Sequence, residues 1–472
     1  MGTTGSFGDT VRFKWNYRII GEQKYKGEHV MLTAGFISLG CAKNLVDTEI
    51  MLGILADNNI NITDNPQDAE LLIINTCGFI DSAKEESIST IMQMAEYKQN
   101  GKCRGLIVAG CLGQRYQQEL LDELPEISAI VGTGAWHRIM EAVNAVLADE
   151  RVLLIGETDT LYDETMRRIT TTPAYSAYVK IAEGCSNCCS YCVIPLVRGK
   201  FRSRPVESIV NEVKKLTERG VKEINLIAQD TTSYGRDRYG KPQLTNLLSE
   251  LVKIEGVFWI RLLYCYPKYF NEELIELIAD EPKICNYIDL PLQHADDEIL
   301  STMNRHDTRS DIENLLKRIR TVIPGVTIRT SFIVGFPGET DKHFESLKNF
   351  MLEQKFERVG VFTYSQEEDT PAGIMENQVP DNVKEERFHE LMSLQCRVSE
   401  ELNHDMEGKR LTVLIEGHNQ DQPSVAFGRS YREAPDVDGC IYVENAIGLL
   451  PGELVQAEIV QGFTYDLVAE KR

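Results

Sequence analysis

Four of the twelve cysteines in this 472-residue chain fall within eight positions, in the segment EGCSNCCSYC at 183–192. Cys185, Cys189 and Cys192 have the spacing C-x3-C-x2-C. Three thiolates so spaced can hold three corners of a [4Fe–4S] cube and leave the fourth iron open to a substrate or cofactor. A structural zinc site would separate its two Cys pairs by about a dozen residues or more. Here Cys185-x2-Cys188 and Cys189-x2-Cys192 abut, and no histidine lies near. Cys188 is a bystander or a spare ligand.

A second set of cysteines is dispersed. Cys41, Cys77 and Cys111 each directly follow a short apolar run, GFISLG at 35–40, LLIINT at 71–76 and LIVAG at 106–110. With ISAIV at 127–131 and VLLI at 152–155, these runs alternate with helical patterns, as in a parallel α/β fold. Ile88, Ile91, Met92 and Ala95 make one helical face, and Tyr116, Leu120, Leu121 and Leu124 another. In an open parallel sheet the strand carboxyl ends share one edge, where ligands bind. Three thiols sent to that edge form a shared three-cysteine metal site, and a helix N-terminus after each favours thiolate. Cys103 falls outside the pattern.

Both sets need elements to position them. A second βα series has strands at 177–183, 223–228, 258–263, 287–290, 327–334 and 358–364, with helices at 206–219, 272–280, 309–322 and 339–354. Six βα units predict a closed or partial barrel with its active site at the strand carboxyl ends. A helix over 383–406 leads out to short β runs at 411–415, 424–428, 440–443, 453–461 and 464–468, which predict a small all-β barrel. The expected plan is an extension at 1–30, an open parallel α/β domain at 31–156, a polar linker at 157–175, the partial (βα)6 barrel at 176–402 and the β-barrel at 403–472.

Apolar residues make up 42% of the chain, enough for sizeable cores. No apolar run approaches the ~20 residues that span a bilayer, and no secretory signal is expected, so the reading is cytoplasmic. Fifty basic against 72 acidic residues give −22 and a pI near 4.9, which suits a basic partner better than a phosphate backbone. Residues 405–472 hold six basic and twelve acidic residues, a net −6. GTGAWH at 132–137 lacks the last glycine of GxGxxG, and no Walker A motif is present. His294 either lines a cavity or is structurally bonded. The acidic runs at 367–369 and 296–297 read as solvated faces. An iron–sulfur scaffold without chemistry would gain nothing from open-site triads.

C-x3-C-x-aromatic-C at the end of the first strand of a six-unit βα barrel resembles the radical S-adenosylmethionine (SAM) enzymes. With a three-cysteine domain before it and a TRAM-like barrel after it, the chain over about 31–472 is similar to the methylthiotransferases of that superfamily. The resemblance implies one [4Fe–4S] cluster on Cys185, Cys189 and Cys192, whose open iron chelates SAM so that reduction yields a 5′-deoxyadenosyl radical. It implies a second [4Fe–4S] cluster on Cys41, Cys77 and Cys111, where sulfur is supplied and methylated. The radical would remove hydrogen and the second cluster would deliver CH3S, one SAM serving as methyl donor and another as oxidant. Tyr191 would lie beside the adenine. Gln229 in LIAQD and Ser331 in SFIVGFPGE would contact SAM. A low-potential electron donor and a sulfur source are further implied partners.

That family divides into enzymes acting on a tRNA adenosine next to the anticodon and a branch acting on ribosomal protein S12. SLGCAKNLVDTE at 38–49 resembles the S12 branch, whereas the tRNA enzymes typically have GCQxN. DLPLQHADD at 289–297 likewise differs from their HLPxQSGS form. A module that grips tRNA should be basic, and an acidic one is steered toward a basic ribosomal protein. The expected reaction is methylthio insertion at the β-carbon of an aspartate in S12, with the tRNA adenosine as the alternative and no membrane partner.

Overall fold

The structure, a computed structural model, describes residues 32–472; the extension expected over 1–30 lies outside them. The first domain is a six-stranded parallel sheet of β1 (Thr33–Ser38), β2 (Asn61–Thr63), β3 (Leu71–Thr76), β4 (Gly105–Gly110), β5 (Ile127–Val131) and β6 (Val152–Leu154), ordered β2-β1-β3-β4-β5-β6. Every residue of β3, β4 and β5 is buried, as continuous apolar runs require when helices cover both faces. β2 has no counterpart among the expected runs, because Asn-Ile-Thr is too short and polar to show a period. The strand order turns back between β1 and β3, the switch point where such a sheet opens a crevice.

One expected helical face needs correcting. In the helix Asp81–Asn100, Ile91 and Ala95 are buried, but Ile88 and Met92 are 40% and 44% exposed, and Ser87 points inward instead. The Ser87 hydroxyl accepts from Cys77 N at 3.1 Å and donates to Cys77 O at 2.8 Å. A polar residue is inside because it ties down a strand end, which hydropathy alone cannot show.

The central domain contains β7 (Ser176–Lys180), β8 (Ala182–Glu183), β9 (Arg202–Ser203), β10 (Glu223–Ile227), β11 (Trp259–Leu262), β12 (Ile284–Asp289), β13 (Thr327–Val334) and β14 (Arg358–Thr363). Six of these form one parallel sheet, β7-β10-β11-β12-β13-β14, whose ends do not join, a partial barrel. The strand expected over 177–183 is divided. Ile181 N still donates to Ile227 O, then the chain leaves β10 and β8 pairs antiparallel with β9. The outer helices include Val206–Glu218, Glu272–Asp280, Arg309–Val322 and Asp341–Gln354, and Asp381–His404 leads out.

The last domain is a closed barrel of β15 (Arg410–His418), β16 (Ala426–Arg429), β17 (Ile441–Glu444), β18 (Leu454–Gly462) and β19 (Leu467–Lys471). Its β16–β17 connection docks on the central sheet. Tyr178 on β7 donates to Asp436 at 2.9 Å, Tyr287 on β12 donates to Asp438 at 2.6 Å, and Arg261 on β11 donates to Tyr431 O at 2.6 Å. Buried Glu223 accepts from Arg429 and Arg261 at the same junction.

Residues 157–175 carry no helix or strand, yet they are clasped. Buried Arg168 joins Glu49 of the first domain to Glu212 of the second, at 2.6 and 2.7 Å. Among the described residues no helix is long and apolar enough to cross a membrane.

Candidate active site

The sheet order makes β1, β3 and β4 neighbours, so Cys41, Cys77 and Cys111 emerge side by side. Cys41 caps the helix Ala42–Asp57, and Cys111 opens the helix Cys111–Glu123. Glycines permit the approach. A Cβ on Gly40 (φ +87°) would stand 2.9 Å from Cys77 Cβ and 3.3 Å from Cys77 Sγ. One on Gly110 (φ +92°) would stand 2.2 Å from Asn75 Oδ1. Asn44 links all three ends: its amide donates to Leu39 O at 3.0 Å and Thr76 O at 2.9 Å, and its Oδ1 accepts from Cys111 Sγ at 3.6 Å.

Thiol electrostatics separate the three. For Cys41, burial opposes the thiolate, but Lys43, Arg198 and the backbone N–H groups of Asn44 and Lys43 outweigh it and the pKa is lowered. Cys77 is pushed up to about 12 by burial and by the neighbouring Cys111 and Cys41. Burial also raises Cys111. Backbone N–H groups favour the thiolate at both Cys41 and Cys77, but only Cys41, with Lys43 and Arg198 beside it, ends below its ordinary value. At the other two, desolvation and thiolate crowding win.

Three crowded thiols, Cys111 buried and Cys41 and Cys77 half-buried, are a donor set that needs added positive charge. Among the described residues, no three His, Cys, Asp or Glu side chains are placed to hold a single metal ion. A four-iron cube makes a different demand, because each thiolate binds a different corner and the ligands surround a volume. Soft thiolates suit iron–sulfur chemistry.

The contiguous set lies on the loop after β8. Cys185 N donates to Gly199 O at 3.1 Å and Cys192 N to Cys189 O at 3.1 Å. Cys188 is exposed at φ +52°, apart from its half-buried neighbours Cys185, Cys189 and Cys192. Burial, with Asp230 and Cys189 nearby, pushes Cys185 up to about 12, and burial raises Cys192 as well. Tyr191 packs against Ile299, Met303, Phe336, Tyr364 and Ala372. Arg305 lies over the Tyr266 ring at 4.0 Å and interacts with Cys189 and Tyr191.

Gln229 donates to Glu183 Oε1 at 2.7 Å, two residues before Cys185. Ser331 shares the inner face of β13 with Arg329 and Ile333 by strand alternation, and no hydrogen bond links it to Tyr191 or Gln229. His294 is fully buried. Its Nδ1 accepts from Asp296 N at 3.0 Å, while its Nε2 lies 3.6 Å from Glu339 and makes no hydrogen bond. Gln229 Oε1, Tyr266 Oη and Tyr364 Oη are buried and unpaired too. These four follow β10, β11, β12 and β14, the ring of strand ends where a polar ligand would satisfy them.

A buried ion network joins the two loops. Arg198 donates to Asp47 and Glu183 at 3.0 Å each and to Asn44 Oδ1, while Lys180 bonds both Asp47 and Glu183. Although burial opposes its charge, Arg198 and Lys180 hold the Glu183 carboxyl well below the usual range.

A strap after β14 closes the same junction and corrects the solvated reading at Glu367, while Glu368 and Asp369 are exposed as expected. Glu367 is 1% exposed and accepts from Lys84 at 3.0 Å, Arg115 at 2.7 Å and Ser365 at 2.6 Å. Ala372 N donates to Ser190 O at 2.9 Å, so the strap touches both cysteine regions. Asp296 caps the helix Asp297–Thr302.

Residues 33–132 match the Uncharacterized protein family UPF0004, 179–351 the Radical SAM superfamily and 394–471 the TRAM domain. The chain is 52% identical to the ribosomal protein uS12 methylthiotransferase RimO of Desulforamulus reducens, over 93% of this chain and 99% of that one. The chain belongs to the RimO family. It is 50% identical to the RimO of Geobacter sulfurreducens, over 92% and 97% of the two chains. RimO membership makes it an enzyme, a radical SAM methylthiotransferase. The fold also resembles the radical SAM methyltransferase TsrM of Kitasatospora setae, solved with cobalamin and a [4Fe–4S] cluster, at a TM-score of 0.54 and 15% identity over 73% of this chain and 74% of that one.

The sequence does not single out Asn44, Asp47, Ser87 or Arg198 as site residues, and Glu367 reads in it as solvated. Asn44 and Asp47 lie in the segment that resembles the S12 branch, three and six residues after Cys41, and that spacing could have flagged them. Arg198 and Glu367 carry no motif; only the tertiary fold shows their role.

Proposed function

We propose that this enzyme replaces a hydrogen on the β-carbon of an aspartate in ribosomal protein S12 with a methylthio group, in the cytoplasm. Cys185, Cys189 and Cys192 would hold one [4Fe–4S] cluster, and Cys41, Cys77 and Cys111 a second. Tyr191, Gln229 and Ser331 would contact SAM. When bound, these groups supply a hydrogen-abstracting radical and a methylated sulfur. The observation that carries the reading is the Arg198 guanidinium, which bonds Asn44 and Asp47 beside Cys41 and also Glu183 beside Cys185. One buried cation thus registers the two cysteine loops against each other, as a reaction shared between them requires. The strap through Glu367 and Ala372 ties both cysteine regions together from the β14 side.

Charge supports a basic protein substrate. In the C-terminal barrel, Arg429 and Arg432 are buried, but so are Glu433 and the Asp438 carboxylate, so the acidic excess persists at the surface. Such a surface steers a cationic ribosomal protein and repels a phosphate backbone.

The test is anaerobic reaction of reconstituted enzyme with S12, a low-potential reductant, a sulfide source and methyl-labelled SAM. Label in one aspartate of S12, with about eight irons per chain, is expected. Label in a tRNA adenosine when tRNA is supplied, or iron for a single cluster in the active protein, would overturn the reading.

A further inference from the structure

Lys43 is the second residue of the helix Ala42–Asp57, two positions after Cys41. Its side chain is 7% exposed and crosses to the central barrel, where Nζ rests 3.2 Å from the centre of the Tyr264 ring. Among the described residues, no carboxylate pairs with it. Its cationic neighbours differ: Lys180 and Arg198 share Asp47 and Glu183, and Arg329 has Asp289 at 3.0 Å. The Cys41 thiolate and the Tyr264 ring favour the ammonium, but no carboxylate of the described residues faces it, which leaves room for one from a ligand.

Tyr264 is a second, independent sign. It follows β11 at φ +61°, a left-handed conformation that bulky side chains rarely adopt. Asp289 accepts from Tyr264 N at 2.8 Å, and Thr231 N donates to Tyr264 O at 2.9 Å. Backbone strain fixed from both sides keeps the ring beneath the ammonium, and strain of this kind gathers at ligand clamps.

We propose that Lys43 recognises the substrate residue itself, its ammonium pairing with the side-chain carboxylate of the target aspartate. The inference rests on the aspartate reading above. The carboxyl carbon is bonded to the β-carbon, so an ion pair at Lys43 holds the reacting carbon at the boundary between the two cysteine loops. An asparagine there leaves the ammonium unmatched, and an adenine brings no anion to it. Lys43 is therefore a specificity-determining residue, and it acts through charge as well as size.

The experiment measures binding of S12, and of S12 with the target aspartate changed to asparagine, to reconstituted holoenzyme and to Lys43→Met and Lys43→Arg, each checked for iron content. Wild-type enzyme should prefer the aspartate form by about 100-fold. Lys43→Met should bring the preference within about threefold, and Lys43→Arg should keep at least about tenfold. Equal binding of both S12 forms by wild-type enzyme overturns the proposal without need of a variant. So does full discrimination by an iron-loaded Lys43→Met protein. If wild-type enzyme binds neither form, the S12 assignment fails instead.

Discussion

The two cysteine triads reach one interface by opposite routes. Cys185, Cys189 and Cys192 share a single loop, so the local chain supplies most of their geometry. Cys41, Cys77 and Cys111 come from three strand ends and depend on Gly40, Gly110, Asn44 and Ser87 to meet. Their electrostatics differ as well. The dispersed site has Lys43 and Arg198 beside it, which lower Cys41 against the effect of burial. In the contiguous loop burial dominates and Cys185 is pushed up to about 12. A contiguous site is held by its own loop, whereas a dispersed one is only as good as its framework.

Breaking each triad in turn should have the largest effect. Cys189→Ala should abolish SAM cleavage and every later step. Cys77→Ala should abolish methylthiolation of S12 while 5′-deoxyadenosine still forms, as chromatography of the products would show. Cleavage surviving in Cys189→Ala would refute the assignment of the contiguous triad.

Framework changes sharpen the contrast. Asn44→Ala removes the amide shared by Leu39 O and Thr76 O and leaves Arg198 short of a partner. Iron should fall from about eight to about four per chain, with 5′-deoxyadenosine formation retained. Equal loss of iron from both sites would show that the triads are not independently supported.

Far from both triads, Glu223 tests the domain junction. Burial opposes its charge, but Arg429 and Arg261 lower its pKa from 4.5 to about 2. A depressed carboxylate stabilises the fold above its unfolded value and loses that contribution as pH falls from about 4.5 toward 2. Glu223→Gln should lower stability at neutral pH by up to about 3 kcal/mol and flatten the acid limb of urea-unfolding midpoints. The smallest effect belongs to exposed Cys188: Cys188→Ser should leave iron content unchanged, and a loss of iron would make it a ligand.

How much was legible in the sequence follows the same division. The contiguous triad could be read from spacing alone, and the dispersed one from apolar runs ending in cysteine. The (βα)6 strands and the C-terminal barrel followed from periodicity, although β2 and the break before β8 did not. Ser87 escaped because a serine that follows Glu85 and Glu86 looks exposed, and Glu367 because an acidic triplet looks solvated. Arg198 meets Asn44 and Asp47 only after two domains dock, which no local pattern encodes. The order of the strands, not their composition, brings those partners together.

The most direct test of the central claim is mass spectrometry of ribosomal protein S12 from cells lacking this gene and from cells in which it is restored. A methylthio gain on one aspartate-containing peptide, lost on deletion and regained on restoration, is the predicted result. S12 unchanged throughout, with a methylthioadenosine vanishing from tRNA on deletion, would contradict it.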